Sequence, residues 1–131
     1  MRLRVLIVED NPLVSMDMAD AIQAAGADVV GVAESVEAAL AVLDEMRPHI
    51  VFVDVGLRGA APGYQIVETA RAGTAFVFIT GLPDAIPEDI SARWPVLEKP
   101  ITSEELRAVL AYVSERGSPT SDSSFLSSNG N

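Results

Sequence analysis

The stretch "HIVFVD", residues 49–54, decides the fold. Its apolar run, Ile50 to Val53, is short, rich in β-branched residues and without strict alternation, so it reads as a strand covered on both faces. Strands of that kind belong to parallel sheets. The run ends on a carboxylate, Asp54, at the point where the strand leaves the core.

Four further runs have the same character: "LRVLIV" (3–8), "ADVVGVA" (27–33), "AFVFIT" (75–80) and "PVLE" (95–98). Between them lie segments with helical spacing. Val14, Met18, Ala21, Ile22 and Ala25 mark the first, Val36, Ala39, Leu40 and Leu43 the second, and Ile66, Val67 and Ala70 the third. Asn11-Pro12 suits an N-cap followed by proline in the first turn. The last helix, with Leu106, Val109, Leu110 and Val113 on one face, follows a capping box, Thr102-x-x-Glu105. Residues 81–95, "GLPDAIPEDISARWP", hold three prolines and predict a short or distorted fourth helix. Five alternations of strand and helix predict an α/β fold: a flavodoxin-like (βα)5, doubly wound parallel five-stranded sheet in the order 2-1-3-4-5 with right-handed crossovers.

Length and composition set the outer limits. The 131 residues fit one domain over 1–116 followed by a Ser-rich tail over 117–131, whose two isolated apolar side chains predict disorder. A second, effector-sized domain has no room. Nineteen acidic against nine basic residues give a net charge of −10, which argues against direct nucleic-acid or membrane-surface binding. Cysteine is absent, so disulfides, thiol catalysis and Cys-based zinc sites are excluded. Glu9 and Asp10 end the first apolar run before a signal-peptide core can form, and no stretch approaches a membrane span. The expected compartment is cytoplasmic.

On the predicted sheet, Glu9 and Asp10 follow strand 1, Asp54 ends strand 3, Thr80 ends strand 4, and Lys99, the lone lysine, follows strand 5. All five fall at the carboxyl edge, where a doubly wound sheet binds its ligand. Carboxylates crowded together either protonate or bind a cation. Oxygen-only ligands suit Mg²⁺, with Mn²⁺ as the alternative. A carboxylate beside such an ion, a hydroxyl and a lysine is equipped to accept a phosphoryl group covalently.

Those residues sit in "VED" (8–10), "FVDVGL" (52–57), "FITG" (78–81) and "EKP" (98–100), and with them residues 1–116 resemble the receiver domain of bacterial two-component response regulators. The "F-x-F-x-T-G" pattern in "FVFITG" (76–81) is similar to that of stand-alone receivers of the alphaproteobacterial kind. The resemblance implies that Asp54 is the phosphoacceptor, that Asp10 binds Mg²⁺ directly and Glu9 mainly through water, and that the Gly56 backbone carbonyl completes the protein ligands. Thr80 would bond the phosphoryl oxygen and Lys99 would pair with it. The donor implied is a phosphohistidine on a sensor histidine kinase or a histidine phosphotransfer protein, or a small acyl phosphate. Such a chain signals or shuttles phosphate through protein contacts and is not an enzyme in the sense of substrate turnover. Homodimerisation and the identity of the downstream protein stay open. The resemblance also implies a cis peptide before Pro100.

Two departures from the family pattern matter. The position three before the lysine, often aromatic, is Val96, and Trp94 is not an obvious replacement, so the signal is expected to leave through residues 81–94. The positions that tune hydrolysis, two beyond the acceptor and two beyond the threonine, are Gly56 and Leu82, neither able to orient a water, which predicts a long-lived phosphoryl group. Gly81, next to Thr80, either leaves open access for a donor or serves the backbone conformation there.

Other residues read as structural. His49 opens a strand with no second histidine to complete a metal site. Met16 and Met18 are expected to pack the first helix, and Glu104 and Glu105 to cap the last. The glycines of "GLRGAAPG" (56–63) lack a nucleotide fingerprint and are expected to shape the approach to Asp54; Arg58 among them reads as solvated. Two competitors remain. One is a receiver-like interaction module working without phosphorylation. The other is an aspartyl-phosphate phosphatase, which would want a second acid where Gly56 stands. A flavin site has no support in the sequence.

Overall fold

The structure, a computed structural model, describes residues 2–56, 63–69 and 73–116. The expected tail, Arg58 and Ala70 lie outside them. Five parallel strands, β1 (Arg4–Val8), β2 (Asp28–Ala33), β3 (Ile50–Asp54), β4 (Ala75–Thr80) and β5 (Val96–Glu98), form one sheet in the order β2-β1-β3-β4-β5. This is the flavodoxin-like, doubly wound α/β arrangement read from the apolar runs.

The reason is visible strand by strand. Every residue of β3 and of β4 is buried, and Phe52, Phe76 and Phe78 are among the largest fully buried side chains. Unbroken apolar runs of that kind need cover on both faces. The outer strand β2 is only half-buried along most of its length. Helices contribute the cover: α1 (Pro12–Ala24) buries Met18 and Ile22, α2 (Val36–Met46) buries Val36 and Ala39, and α4 (Ser103–Arg116) sets Leu106, Val109, Leu110 and Val113 into the core.

Helix ends follow local chemistry. The Asn11 side chain accepts the Leu13 N–H at 3.0 Å with Pro12 as first helical residue, and α1 stops at Gly26, whose φ of +95 is costly for any side chain. The Ser35 hydroxyl caps α2 by accepting from Ala38 N–H at 3.1 Å. Thr102 and Glu105 form the expected reciprocal capping box, with the Thr102 N–H donating to the Glu105 carboxylate at 3.0 Å and the Glu105 N–H to the Thr102 hydroxyl at 3.1 Å.

Two expectations need correction. The third helix is a 3₁₀ helix over Gly63–Thr69 that buries Ile66; Ile66, Val67, Thr69 and the leading glycine are all weak α-helix formers. Met16 does not pack: it is 62% exposed, while Met18 is 7% exposed. Residues two apart on a helix point to different sides, so the two methionines cannot share a face. The proline-rich connection behaves as expected, with a short 3₁₀ turn at Pro83–Ala85 and a single α turn, α3 (Glu88–Ser91).

His49 is structural, and its task is specific. Its N–H donates to the Arg4 carbonyl at 2.8 Å, its carbonyl accepts the Ala75 N–H at 2.9 Å, and its Nδ1 accepts the Arg4 N–H at 2.9 Å. The residue thus joins β1, β3 and β4 at the amino edge, opposite Asp54. Replacing His49 with alanine removes the acceptor for the Arg4 N–H and is expected to lower stability by about 1–3 kcal/mol. Urea denaturation measures it, and an unchanged midpoint would show that water serves that N–H equally well.

Candidate functional site

The carboxyl edge collects its polar residues through the turns that follow each strand. Glu9 extends the β1–β2 ladder by one bond, its N–H donating to the Ala33 carbonyl at 2.9 Å. Its side chain is buried, and its Oε2 accepts the Asp10 N–H at 3.0 Å. The Asn11 cap then turns the chain sharply into α1, which keeps Glu9 and Asp10 on the rim instead of letting the strand continue.

Asp54 is the last residue of the buried strand β3 and is itself 6% exposed. The Val55 N–H bonds to the Ile79 carbonyl of β4 at 3.0 Å, and the Gly56 N–H turns back to Asp54 Oδ1 at 3.0 Å. One contact here was not legible in the sequence. A Cβ at Gly63 would overlap the Asp54 carbonyl oxygen and stand 2.9 Å from Val53 Cγ1, so the 3₁₀ helix rests directly on the Asp54 backbone and only glycine permits it. The glycines of the loop signalled a shaping role, but which of them touches Asp54 is a matter of distance.

Lys99 follows β5, its N–H donating to the Thr80 carbonyl at 2.9 Å, and the Lys99–Pro100 peptide is cis as expected. Its Nζ stands 3.3 Å from Asp54 Oδ2 and 3.9 Å from Glu9 Oε1. Thr80 is buried at the end of β4, one residue beyond Ile79, the register partner of Asp54. Its Oγ1 accepts the Leu82 N–H at 2.9 Å, a second contact that nothing in the sequence announced. Glu9, Asp10, Asp54, Thr80 and Lys99 therefore lie together. Gly56 is held beside them by its N–H.

Charge is shared unequally among these groups. Burial, then the hydrogen bond to Asp54 and its negative charge, push the Glu9 carboxyl up to about 7, against a smaller lowering by Lys99 and the Asp10 N–H. For Asp54, burial would raise the carboxyl, but the hydrogen bonds from Glu9 and the Gly56 N–H, together with Lys99, outweigh it and hold the group below its ordinary value. Asp54 is thus the ionised partner and Glu9 the one that keeps a proton. Glu9, Asp10 and Asp54 each offer a carboxylate oxygen within 4.8 Å of the others. An all-oxygen set in which burial and a neighbouring carboxylate raise the Glu9 carboxyl fits a hard divalent cation such as Mg²⁺.

The family's aromatic position is filled by Val96, half-buried and paired with Phe78. Trp94 packs edge-on against Phe76 at 5.3 Å and 75°. Phe76 lies four residues before Thr80, about 13 Å along the strand. The tryptophan is core at the far end of the sheet and does not report on Thr80.

Comparison with known proteins agrees with this architecture. Residues 5–111 match the family described as response regulator receiver domain. The phyllosphere-induced regulator PhyR of Methylorubrum extorquens is 30% identical over 87 residues, 64% of this chain, and the chain spans about a third of that relative's length, 33%. Among solved structures, the PhyR receiver domain of Erythrobacter litoralis superposes with a TM-score of 0.79 at 27% identity, covering 91% of this chain and 95% of that one. SdrG from Sphingomonas melonis does so with 0.73 at 32%, covering 86% and 97%.

The raised Glu9 carboxyl makes stability depend on pH. Its unfolded value is near 4.5 and its folded value about 7, so the folded state holds the extra proton between these limits. Metal-free protein is expected to lose on the order of 1–3 kcal/mol of stability as pH rises from about 5 to 7.5, since each tenfold difference in proton affinity between the folded and unfolded states corresponds to about 1.4 kcal/mol. The depressed Asp54 carboxyl works the other way, losing its contribution only as pH falls below its ordinary value of 3.8. Urea denaturation across that range in chelator should show the decline, and Glu9→Gln should flatten it; an equal slope in both proteins would assign the titration elsewhere.

Proposed function

The chain belongs to the response regulator receiver domain family, and from that membership we propose that it takes a phosphoryl group onto Asp54 from a phosphohistidine on a sensor histidine kinase or histidine phosphotransfer protein. The single observation that best supports this is the arrangement around the Asp54 carboxylate: ionised, with Oδ1 tied to the Gly56 N–H at 3.0 Å and Oδ2 facing Lys99 at 3.3 Å. The carboxylate is thereby oriented while its charge stays available for attack.

In the transfer, an Asp54 oxygen forms the new O–P bond as the donor's N–P bond breaks, and the electron pair of that bond stays on the imidazole nitrogen. A bound Mg²⁺, held by Asp10 and Asp54, by the Gly56 carbonyl and through water by Glu9, would neutralise charge on the phosphoryl oxygens; Mn²⁺ has the same ligand preferences. Lys99 follows the charge from the carboxylate to a phosphoryl oxygen. Thr80 donates its hydroxyl to another. Catalysis of this kind needs positioning and charge compensation more than covalent help from the protein. Gly56 and Leu82 cannot orient a hydrolytic water, so the phosphoryl group persists. The phosphorylated chain then signals or relays phosphate through protein contacts in the cytoplasm. No described helix is long and apolar enough to cross a membrane.

Incubation with Mg²⁺ and acetyl phosphate, read by intact mass, is expected to add one phosphoryl group, and both chelation and Asp54→Asn should abolish it. Lys99→Arg should keep the melting temperature but slow phosphorylation about tenfold or more, the scale on which misplaced charge stabilisation acts. A phosphoryl group on Asp54→Asn would refute the acceptor assignment, a full wild-type rate in Lys99→Arg the role of the lysine, and a lifetime of only seconds the account of slow hydrolysis.

A further inference from the structure

α1 and α4 contact each other, and the seam between them stays partly open. Near the carboxyl edge it widens into a largely apolar cavity of about 580 Å³, lined by Val14, Met18 and Ala21 of α1, by Ile101 and Leu106, and at its end by Lys99. That volume lies within the roughly 300–1,000 Å³ of pockets that take a sizeable ligand. Toward the amino edge the seam holds a second cavity of about 370 Å³, between Ala25 and Gly26 on one side and Leu110 and Ala111 on the other, with Arg2 and Arg107 on its lining. Arg2 is paired with Asp28 at 2.9 Å, and Arg107 is exposed.

α4 ends at Arg116, beside the second cavity, which Ser114 also lines. Residues 117–131 follow, beyond the described residues. Their only large apolar side chains are neighbours, Phe125 and Leu126, and their only charged side chain is Asp122. Two such side chains cannot build a core of their own, but they can fill a cavity that is already formed. Leu106 stands ten residues before Arg116, about 15 Å along the helix. The nine residues from 117 to 125 span up to about 30 Å when extended, enough to turn back along the seam. With Phe125 and Leu126 at the apolar cavity, Asp122, three residues earlier, falls on the side of the arginines.

We propose that residues 117–131 fold back along the seam of α1 and α4, with Phe125 and Leu126 in the apolar cavity and Asp122 beside Arg107. The chain is then its own occupant of this surface. A short tether holds such a segment at an effective concentration in the millimolar range, which offsets the small area that two side chains bury. Charge selects the same occupant: a basic helix from another protein would meet Arg2 and Arg107, whereas this segment brings a carboxylate to them. Lys99, at the end of the cavity, stands 3.3 Å from Asp54 Oδ2, so the docked segment lies on the flank of the acidic site and competes with any protein that approaches along α1. Docking itself needs no phosphoryl group.

Paramagnetic broadening in the full chain tests this. The protein holds no cysteine, so Ser128→Cys carries a nitroxide at a single place. A free segment of twelve residues keeps such a label about 20 Å from Arg116 on average, which broadens amides around the amino edge. A docked one brings it to the carboxyl half of the seam. The amides of Val14, Met18 and Leu106 should then lose about half or more of their intensity, the occupancy that a millimolar tether gives a site of millimolar affinity, while those of α2 keep theirs. Phe125→Ser with Leu126→Ser should restore the three signals. Asp122→Arg should weaken the broadening, and adding Arg107→Asp should recover it. Broadening confined to the amino edge, or broadening at Val14, Met18 and Leu106 that survives the double serine substitution, overturns the docking. Broadening of these amides that appears only when spin-labelled chain is mixed with ¹⁵N-labelled chain bearing no nitroxide assigns the segment to a second copy and overturns the fold-back.

Discussion

A carboxylate ends a wholly buried central strand of this protein, and the rest of the molecule accommodates that fact. β3 lies between β1 and β4 with every residue buried, so Asp54 emerges where water can reach little of it. An ionised group in that position costs several kcal/mol unless neighbours compensate. The strand order supplies the neighbours. β1 on one side delivers Glu9 and Asp10, β4 on the other delivers Thr80, and Lys99 reaches across from β5, two strand spacings or about 10 Å away. The compensation is incomplete: burial and then the neighbouring Asp54 still push the Glu9 carboxyl up to about 7. A site left short of positive charge in this way is prepared for a cation.

Much of this was legible in the sequence, for a physical reason. Buried parallel strands must be continuous apolar runs, so their ends are marked by the first polar residue, and in a doubly wound sheet those ends form the ligand edge. "VED", "FVD", "FIT" and "EK" are therefore positional statements as much as compositional ones. Capping residues were equally plain, since Asn11-Pro12 and Thr102-x-x-Glu105 act within a single turn. What was hidden depends on distance between segments. The contact of Gly63 with the Asp54 carbonyl and the grip of Thr80 on the Leu82 N–H leave no periodicity or spacing signal. The third helix is 3₁₀ because its residues are weak α-helix formers, and Met16 is exposed because residue spacing on α1, not apolar character, decides which side chain faces in.

The acidic site and the amino edge are stabilised by different means. At the amino edge, His49 joins three strands through uncharged hydrogen bonds, and Trp94 and Phe76 pack edge to face; neither depends on the state of the carboxylates. At the carboxyl edge the side-chain links pass through ionisable or hydroxyl groups, Glu9, Asp54, Thr80 and Lys99. A change of charge at Asp54 therefore reaches the turns after β1, β4 and β5 without loosening the sheet beneath them. Of those turns, the one after β4 combines a tie to the site with a stretch of exposed residues before its next buried anchor, Ile86.

The lone lysine can now be understood by its distances. Nζ lies 3.3 Å from one carboxylate and 3.9 Å from the other, with its side chain 37% exposed while those of Glu9 and Asp54 are 2% and 8%. It is shared and committed to neither. A guanidinium in that place would form a planar, two-bond fork with one carboxylate, a geometry that gains energy by fixing its partner. Such a fork would bind the nucleophilic oxygens and occupy the space that a metal and a donor need. An ammonium on a flexible stem offers charge without a fixed plane, so in the proposed transfer it would lower the energy of the carboxylate beforehand and follow the charge to a phosphoryl oxygen afterwards. The same looseness explains why the position tolerates exposure. Its contribution is charge at a moving target, and a tightly buried, fully bonded cation would hold the site in its starting state.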